Sequence, residues 1–209
     1  DYAALAVGLL DLYEAEFDVS RFARARSLID IVLADFSSDS GGFYVTGRRH
    51  EALIAKSKDP FDNATPSGNS MAAAALLRLF AYTGEEKYRA AADSIFRVFA
   101  PYISASPSGL AYMLSALDFS LADVKEIAIV GDAKSPETDA LLSVVRKSSA
   151  PRVVALLDPT RPESAKTIPL LEGKTLVDGR PAVYVCHGFR CDAPITDPTV
   201  LAHAIGAGS

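Results

Sequence analysis

The sequence predicts a mainly α protein: stacked helical hairpins, then a small α/β segment with a short parallel sheet. Three observations carry this. Residues 1–36 and 67–102 each read as a helix, a short turn and a second helix. Around Leu121 to Val124 the helical period of apolar residues gives way to short β-branched runs. Those runs then alternate with helix signals, as parallel strands joined by crossovers do. The division is placed at 1–122, a helical-hairpin region, and 123–209, a small α/β region.

The opening segment DYAALAVGLLDLYEAEF puts Tyr2, Leu5, Leu9, Leu12 and Tyr13 on one helical stripe already under way at Asp1. The chain is therefore expected to be a piece of a longer protein. Asp1 to Glu16 and Ser20 to Phe36 form the first helix pair, with Ser20 expected to cap the second helix by accepting a backbone N–H. Ser67 to Tyr82 and Glu85 to Tyr102 form the second pair, divided at Gly84, a residue suited to the left-handed conformation at a helix end. Ala72, Ala73, Ala74 and Ala75 let neighbouring helices approach closely. A fifth helix is expected from Pro107 to Phe119. The spacing of these units is too irregular for a short tandem repeat.

Beyond the change of period, Glu126 to Gly131 (EIAIVG) is the first expected strand. Ser135 followed by Pro136 starts a helix running to Lys147, in the favoured cap-then-proline order. Arg152 to Leu157 and Ala182 to Cys186 are the second and third strands. Asp197 and Pro198 repeat the cap signal before a last helix ending at Ile205.

Composition narrows the function. The chain has 209 residues, of which 49% are hydrophobic, enough for a real core. Its net charge of −5 comes without a basic run, so nucleic acid is not an expected partner. No apolar run approaches the roughly 20 residues that span a bilayer, so no membrane association is expected. Two cysteines suit neither a disulfide scaffold nor a four-ligand zinc site; they lean towards a reducing compartment, and a cytoplasmic location is expected. No cofactor or metal motif is read from the chain.

Most of the candidate chemistry lies in one long non-helical connection from Ser40 to Met71, SGGFYVTGRRHEALIAKSKDPFDNATPSGNSM. Connections this long inside a domain commonly bind something or are disordered. Phe43, Tyr44, Leu53, Ile54 and Phe61 give this one apolar surface to bury, unlike a disordered tract.

The string GGFYVTGRRHEALIAKSKDPFDNATPSGNS, the alanine-rich helix with YTGEEKY behind it, and the closing segments KEIAIVGD, LLEGKTLVDGRPAVYVCHGFRC and APITDP together resemble the C-terminal region of the spermatogenesis-associated protein 20 family. The resemblance covers essentially the whole chain. It implies that the helical part belongs to an (α/α)6-type toroid, related in shape to sugar epimerases and glycosidases. It also implies a thioredoxin-like domain upstream in the same protein, as a partner to this region. The family's reaction is poorly defined, and whether the chain is an enzyme is left open. Fold alone does not fix function.

A carbohydrate-like ligand at a toroid mouth would need carboxylates, amides for its hydroxyls and an aromatic face. The connection offers Glu51 and Asp62 as candidate catalytic carboxylates and His50 as an alternative base near neutral pH. Tyr44 is the candidate platform, with Asn63, Ser67 and Asn69 as ligand-binding partners. Asp62, Asn63, Ser67 and Asn69 are also the residue types of turns and helix caps, so a structural role competes at each. The alternative reading is a non-catalytic scaffold that serves the upstream thioredoxin-like domain. Lys56 and Lys58 read as solvated charge, His203 as a surface or packing residue, and IVGD as an ordinary strand-to-helix turn.

Cys186 and Cys191 flank His187 at the end of the third strand. They could be buried free thiols, a disulfide or a redox pair. Their spacing is not that of thioredoxin catalysts, and the family's redox expectation belongs to its N-terminal domain.

Overall fold

In the computed structural model, which describes residues 1–49 and 56–206, the chain divides into two units. One holds residues 1–80 and 85–121; the other holds residues 81–84 and the chain from 122 onward. The described residues are mainly helical, with one small four-stranded sheet.

In the first unit, α1 (Tyr2–Glu16) stops where Phe17 turns left-handed, at φ 55°, and its N–H closes back on the Tyr13 carbonyl. Next, α2 (Val19–Asp35) is capped by Asp18, whose carboxylate accepts from Ser20 N at 3.0 Å. Ser20 is thus inside the helix and not its cap: Asp18 lies one step earlier in the chain, and its side chain reaches the free N–H of the first turn. The two helices pack through Ala3, Ala6, Leu10 and Tyr13 against Phe22, Ala25, Ile29 and Val32, all buried. Their i, i+3/i+4 spacing makes the buried stripe, which shares only Tyr13 with the stripe read from the sequence; Tyr2, Leu5 and Leu12 are exposed. Each large side chain among them contributes about 1.5–3 kcal/mol by burial. Tyr13 meets the edges of Phe17 and Phe22, with centroids 5.9 and 5.6 Å apart.

Small and apolar side chains bury α3 (Gly68–Thr83) nearly all round, with Ala72, Ala73, Ala75, Leu76, Leu77 and Leu79 at 2% exposure or less. Gly84, at φ +68°, ends it. In α4 (Glu86–Ala105) Tyr88, Ala92, Ile95 and Phe99 face inward. A polar chain ties α2 to the start of α4: Arg26 donates to Tyr88 Oη and Glu85, and Tyr88 Oη and Lys87 Nζ both donate to Asp30, each at 3.0 Å. The expected fifth helix begins as a 3-10 turn at Pro107–Leu110 and becomes α5 (Ala111–Leu121). Pro107 can open such a turn, having no N–H to leave unbonded.

The second unit is organised by its sheet, in the order β2-β1-β3-β4. The strand β1 (Lys125–Val130) and α6 (Pro136–Lys147) lead to β2 (Arg152–Leu157), which runs parallel to β1 with Ile127 beside Val154. Ser135 caps α6 by accepting Thr138 N, and Leu141, Leu142 and Val145 are buried. After β2 come a short helix, α7 (Glu163–Thr167), and a 3-10 turn, Pro169–Leu171. The third strand, β3 (Ala182–His187), pairs antiparallel with β1, and β4 (Arg190–Cys191) pairs antiparallel with β3. The sheet is therefore mixed rather than wholly parallel.

The reason lies in the connections. A parallel neighbour needs a crossover that carries the chain back along the strand, as the twelve residues of α6 do. The chain from β2 to β3 holds only the short α7 and a 3-10 turn, neither of which carries it back along the sheet. The chain stays at the end where β2 finishes and enters β3 there, with Ala182 beside Val130. Lastly α8 (Pro198–Ile205) is capped by Asp197, which accepts from Thr199 N and Val200 N, and it packs on α6 and β3. No helix among the described residues is long and apolar enough to cross a membrane.

Gly131 ends β1 where space is least. A Cβ there would sit 2.4 Å from Thr138 Oγ1 and 3.0 Å from Pro181 Cβ. Gly131→Ala is expected to destabilise the protein by about 2 kcal/mol through this overpacking. Urea unfolding checks it, as a lowered midpoint at unchanged slope.

Candidate functional site

The connection between α2 and α3 folds back on the end of α2. Tyr44 N bonds the Phe36 carbonyl at 2.9 Å, Ser37 and Phe43 form an isolated antiparallel bridge, and Arg48 N bonds the Asp35 carbonyl at 2.8 Å. Gly41 and Gly42 make the turn, with φ of +89° and +65°, values that favour glycine. Lys58 is not free solvated charge. Its Nζ donates to Ser40 Oγ and to the Gly41 carbonyl at 2.7 and 2.6 Å, and it lies 5.3 Å from the centre of the Tyr44 ring. Lys56 stands over the same ring at 5.6 Å.

Asn69, on the first turn of α3, is buried and pairs with the backbone of Phe43 as a strand would. Its Oδ1 accepts Phe43 N at 2.8 Å and its Nδ2 donates to the Phe43 carbonyl at 3.0 Å. Asp62 bridges two helix starts. One oxygen accepts Ser67 N at 2.8 Å just ahead of α3; the other accepts Tyr112 N at 2.8 Å and Met113 N at 3.4 Å in the first turn of α5. A carboxylate is favoured there by the unpaired N–H groups of a helix N-terminus. Ser67 is buried, and its Oγ accepts Ser70 N at 3.1 Å, capping α3. Asn63 is exposed, with its own N–H on the Thr65 carbonyl. His50 and Glu51 lie outside the described residues.

Of the candidate ligand-binding residues, the structure brings Tyr44 and Asn69 to one place. They line a cavity of about 200 Å³ whose walls include Tyr2, Phe36, Phe43 and Val45, together with Asp59 and with Gly68 at the start of α3. The rings of Tyr2 and Phe36 are 5.5 Å apart at 54°. Asp59 Oδ1 accepts Phe61 N at 3.1 Å. Asp59 belongs to the polar stretch of the connection that the sequence points to, but it is not one of the two carboxylates, Glu51 and Asp62, picked out there. Its place beside Pro60 in a turn-like stretch reads as a loop, and only the fold sets it at the cavity.

A second constellation belongs to the other unit. Cys186 and Cys191 are disulfide-bonded and stand directly opposite each other in the β3–β4 pair. His187 follows on β3, where the pleat alternates faces. Its Nδ1 lies 2.8 Å from Asp123 Oδ1. Opposite Cys186 on β1 is Glu126, only 4% exposed. It accepts the Phe189 N–H at 2.7 Å. Burial pushes the Glu126 carboxyl above the ordinary glutamate range, against the opposing pull of the Phe189 and Gly188 N–H groups and of His187. Glu126 was legible as an anomaly, since a charged residue inside an apolar strand run breaks the binary pattern. His203 is exposed, with Nδ1 2.9 Å from the Thr199 carbonyl. Among the described residues no His, Cys, Asp and Glu cluster is arranged to hold a metal ion.

No family model matches the chain. Curated relatives do. Spermatogenesis-associated protein 20 of Rattus norvegicus is 34% identical over 205 residues, and that of Homo sapiens 32% over the same length, each match covering 96% of this chain and 26% of the relative. An uncharacterized protein of Caenorhabditis elegans is 29% identical over 198 residues, 93% of this chain. The chain thus spans about a quarter of the length of the curated relatives it matches.

Asp62→Ala is expected to lower stability by about 2 kcal/mol, because it leaves part-buried helix-start donors without their acceptor; denaturant titration measures it. Glu126 sets a pH dependence. The folded state keeps its proton to higher pH than the unfolded chain, so over the window just above the ordinary glutamate value the folded state binds more protons. Stability therefore falls as pH rises through that window. Glu126→Gln is expected to remove this fall, read from melting temperatures across pH.

Proposed function

We propose, from the premise that this chain is a C-terminal region of the spermatogenesis-associated protein 20 family, that its first unit is part of an (α/α)6-type toroid and holds a small carbohydrate-like ligand beside Tyr44. The cavity carries this reading. At about 200 Å³ it suits one ring-sized molecule. The aromatic walls of Tyr2, Phe36, Phe43 and Tyr44 suit the apolar face of such a ring, and Asp59 can accept from its hydroxyls.

Asp62 enters as a positioning residue. With both oxygens on backbone donors, it fixes the connection to α3 and α5, and an enzymatic form of this reading would draw its proton carrier from Glu51 or His50. Asn69 likewise holds Phe43 in the wall through its amide.

A second reading is favoured by the same hydrogen bonds. Asp62, Ser67 and Asn69 all brace backbone, as a rigid scaffold requires, and the connection would then present a docking surface to the thioredoxin-like domain of the longer protein.

Ligand screening separates the two. Monosaccharides and their amino and acid derivatives at millimolar concentration are expected to raise the melting temperature of the full-length protein. Tyr44→Ala, which removes the ring but no hydrogen bond of the bracing set, should abolish the shift while leaving the apo melting temperature within a few degrees. No shift with any of these compounds would favour the scaffold.

A further inference from the structure

We propose that the Cys186–Cys191 disulfide is a site of thiol–disulfide exchange, opened by a dithiol that attacks Cys191 while Glu126 gives a proton to the departing Cys186 sulfur. The argument begins with position. β4 is the sheet's edge strand and only two residues long, Arg190–Cys191. It joins β3 through the turn of Gly188 and Phe189, both at positive φ, +55° and +63°. Past β4 the chain stays tied to β3, with Asp192 N on the Val185 carbonyl at 3.0 Å and a bridge between Val183 and Ile195, so the part that can move when the bond opens is the 188–191 turn. The disulfide thus joins an interior strand to a hairpin tip at the sheet's edge.

The two sulfurs are unlike in their surroundings. Cys186 is fully buried, whereas Cys191 is only partly covered. An incoming thiolate therefore reaches Cys191 first, and Cys186 becomes the leaving group. Leaving as a bare thiolate in an apolar setting is costly, so a proton donor on that side matters.

Glu126 stands where such a donor is needed. It is the β1 residue in register with Cys186, and paired residues of antiparallel strands project to the same face. Its carboxyl is almost fully buried, and burial favours the protonated form. The bond from Phe189 N anchors it to the turn that separates the two cysteines. Of the titratable groups, His187 lowers its proton affinity and is itself paired with Asp123, and Arg190 stands opposite His187 in the hairpin.

The step balances as follows. A thiolate of the dithiol bonds to Cys191 Sγ, and the Cys186–Cys191 bond breaks. Cys186 takes the electron pair of that bond and a proton from Glu126. The second thiolate of the reductant attacks its own sulfur in the mixed disulfide and releases Cys191 as a thiolate, which is protonated from water; Glu126 regains its proton from solvent. The net change is a dithiol oxidised to a disulfide and this disulfide reduced to two thiols.

The test uses the full chain, folded and oxidised. Glutathione serves as a monothiol trap and dithiothreitol as the dithiol, with N-ethylmaleimide quenching and peptide mass mapping. The expected mixed disulfide is on Cys191 with Cys186 free, formed, at any one pH, at a rate proportional to the probe's concentration and well above the rate of global unfolding. Glu126→Gln is expected to slow the reaction at least about tenfold near neutral pH, and its rate should then follow only the thiolate fraction of the probe. Reduction no faster than global unfolding would make the bond purely structural and overturn the proposal. So would an adduct on Cys186, or a folded Glu126→Gln variant that reacts at the wild-type rate. If that variant does not fold, the unsubstituted protein still decides. A rate that tracks the probe's thiolate fraction alone across pH would remove Glu126 from the step, whereas one that falls away as Glu126 ionises supports it.

Discussion

A long connection without helix or strand must find partners for its own backbone, and in the first unit that requirement governs the rest. Two side chains meet most of it. Asn69 supplies the donor and the acceptor that a neighbouring strand would have offered Phe43, and Asp62 supplies the acceptor that three backbone N–H groups share. Each replaces water that the fold has excluded, and an unpaired buried amide would cost more than either bond contributes when made. The path of the segment across the ends of α2, α3 and α5 follows from these two residues. The cavity beside Tyr44 is a consequence, since it forms where the braced segment arches over Phe36 and the start of α3.

The second unit meets a different constraint with a similar residue type. Its central strand is buried on all but its first position, which leaves Glu126 with nowhere to be hydrated. Other residues in that environment are apolar, and Ile127, Ala128 and Ile129 follow the rule. Glu126 persists because the tight turn of the β3–β4 hairpin offers it backbone donors. The hairpin in turn contains Phe189 in a left-handed conformation, strained for a residue with a side chain. The carboxyl and the disulfide hold that turn from two sides. Phe189 also lies against Gly84, where a side chain's first carbon would approach the ring to 3.1 Å.

Much of the fold was legible in local signals. Ser135 with Pro136, and Asp197 with Pro198, mark helix starts because a short polar side chain and a missing N–H both answer the same unpaired donors, and both helices begin where those signals lie. The strands at Lys125–Val130 and Arg152–Leu157 follow from β-branched runs bounded by glycine or proline. What local signals do not contain is direction and partner. Nothing in Ala182–His187 itself states that it runs against β1; that depends on the end of the sheet from which the chain enters it. In the same way Ser20 has the chemistry of a cap, but Asp18 has it too and comes first. The polar residues of the long connection presented the same ambiguity in stronger form. A turn, a cap and a ligand site all call for Asp, Asn and Ser, and only the three-dimensional partners separate them.

Those partners also set what chemistry each carboxylate can perform. A carboxylate whose two oxygens accept several backbone N–H bonds is held in one orientation, which suits bracing. Asp62 is of this kind. Glu126 has fewer compensating donors than its burial requires, so its proton is retained more readily and is available to a neighbour that develops negative charge. The two residues are the same functional group in two environments, and the difference lies in the ratio of hydrogen bonds received to water lost. Asp62, singled out from the sequence together with Glu51 and His50, is placed to brace backbone, whereas Glu126 is placed beside the disulfide.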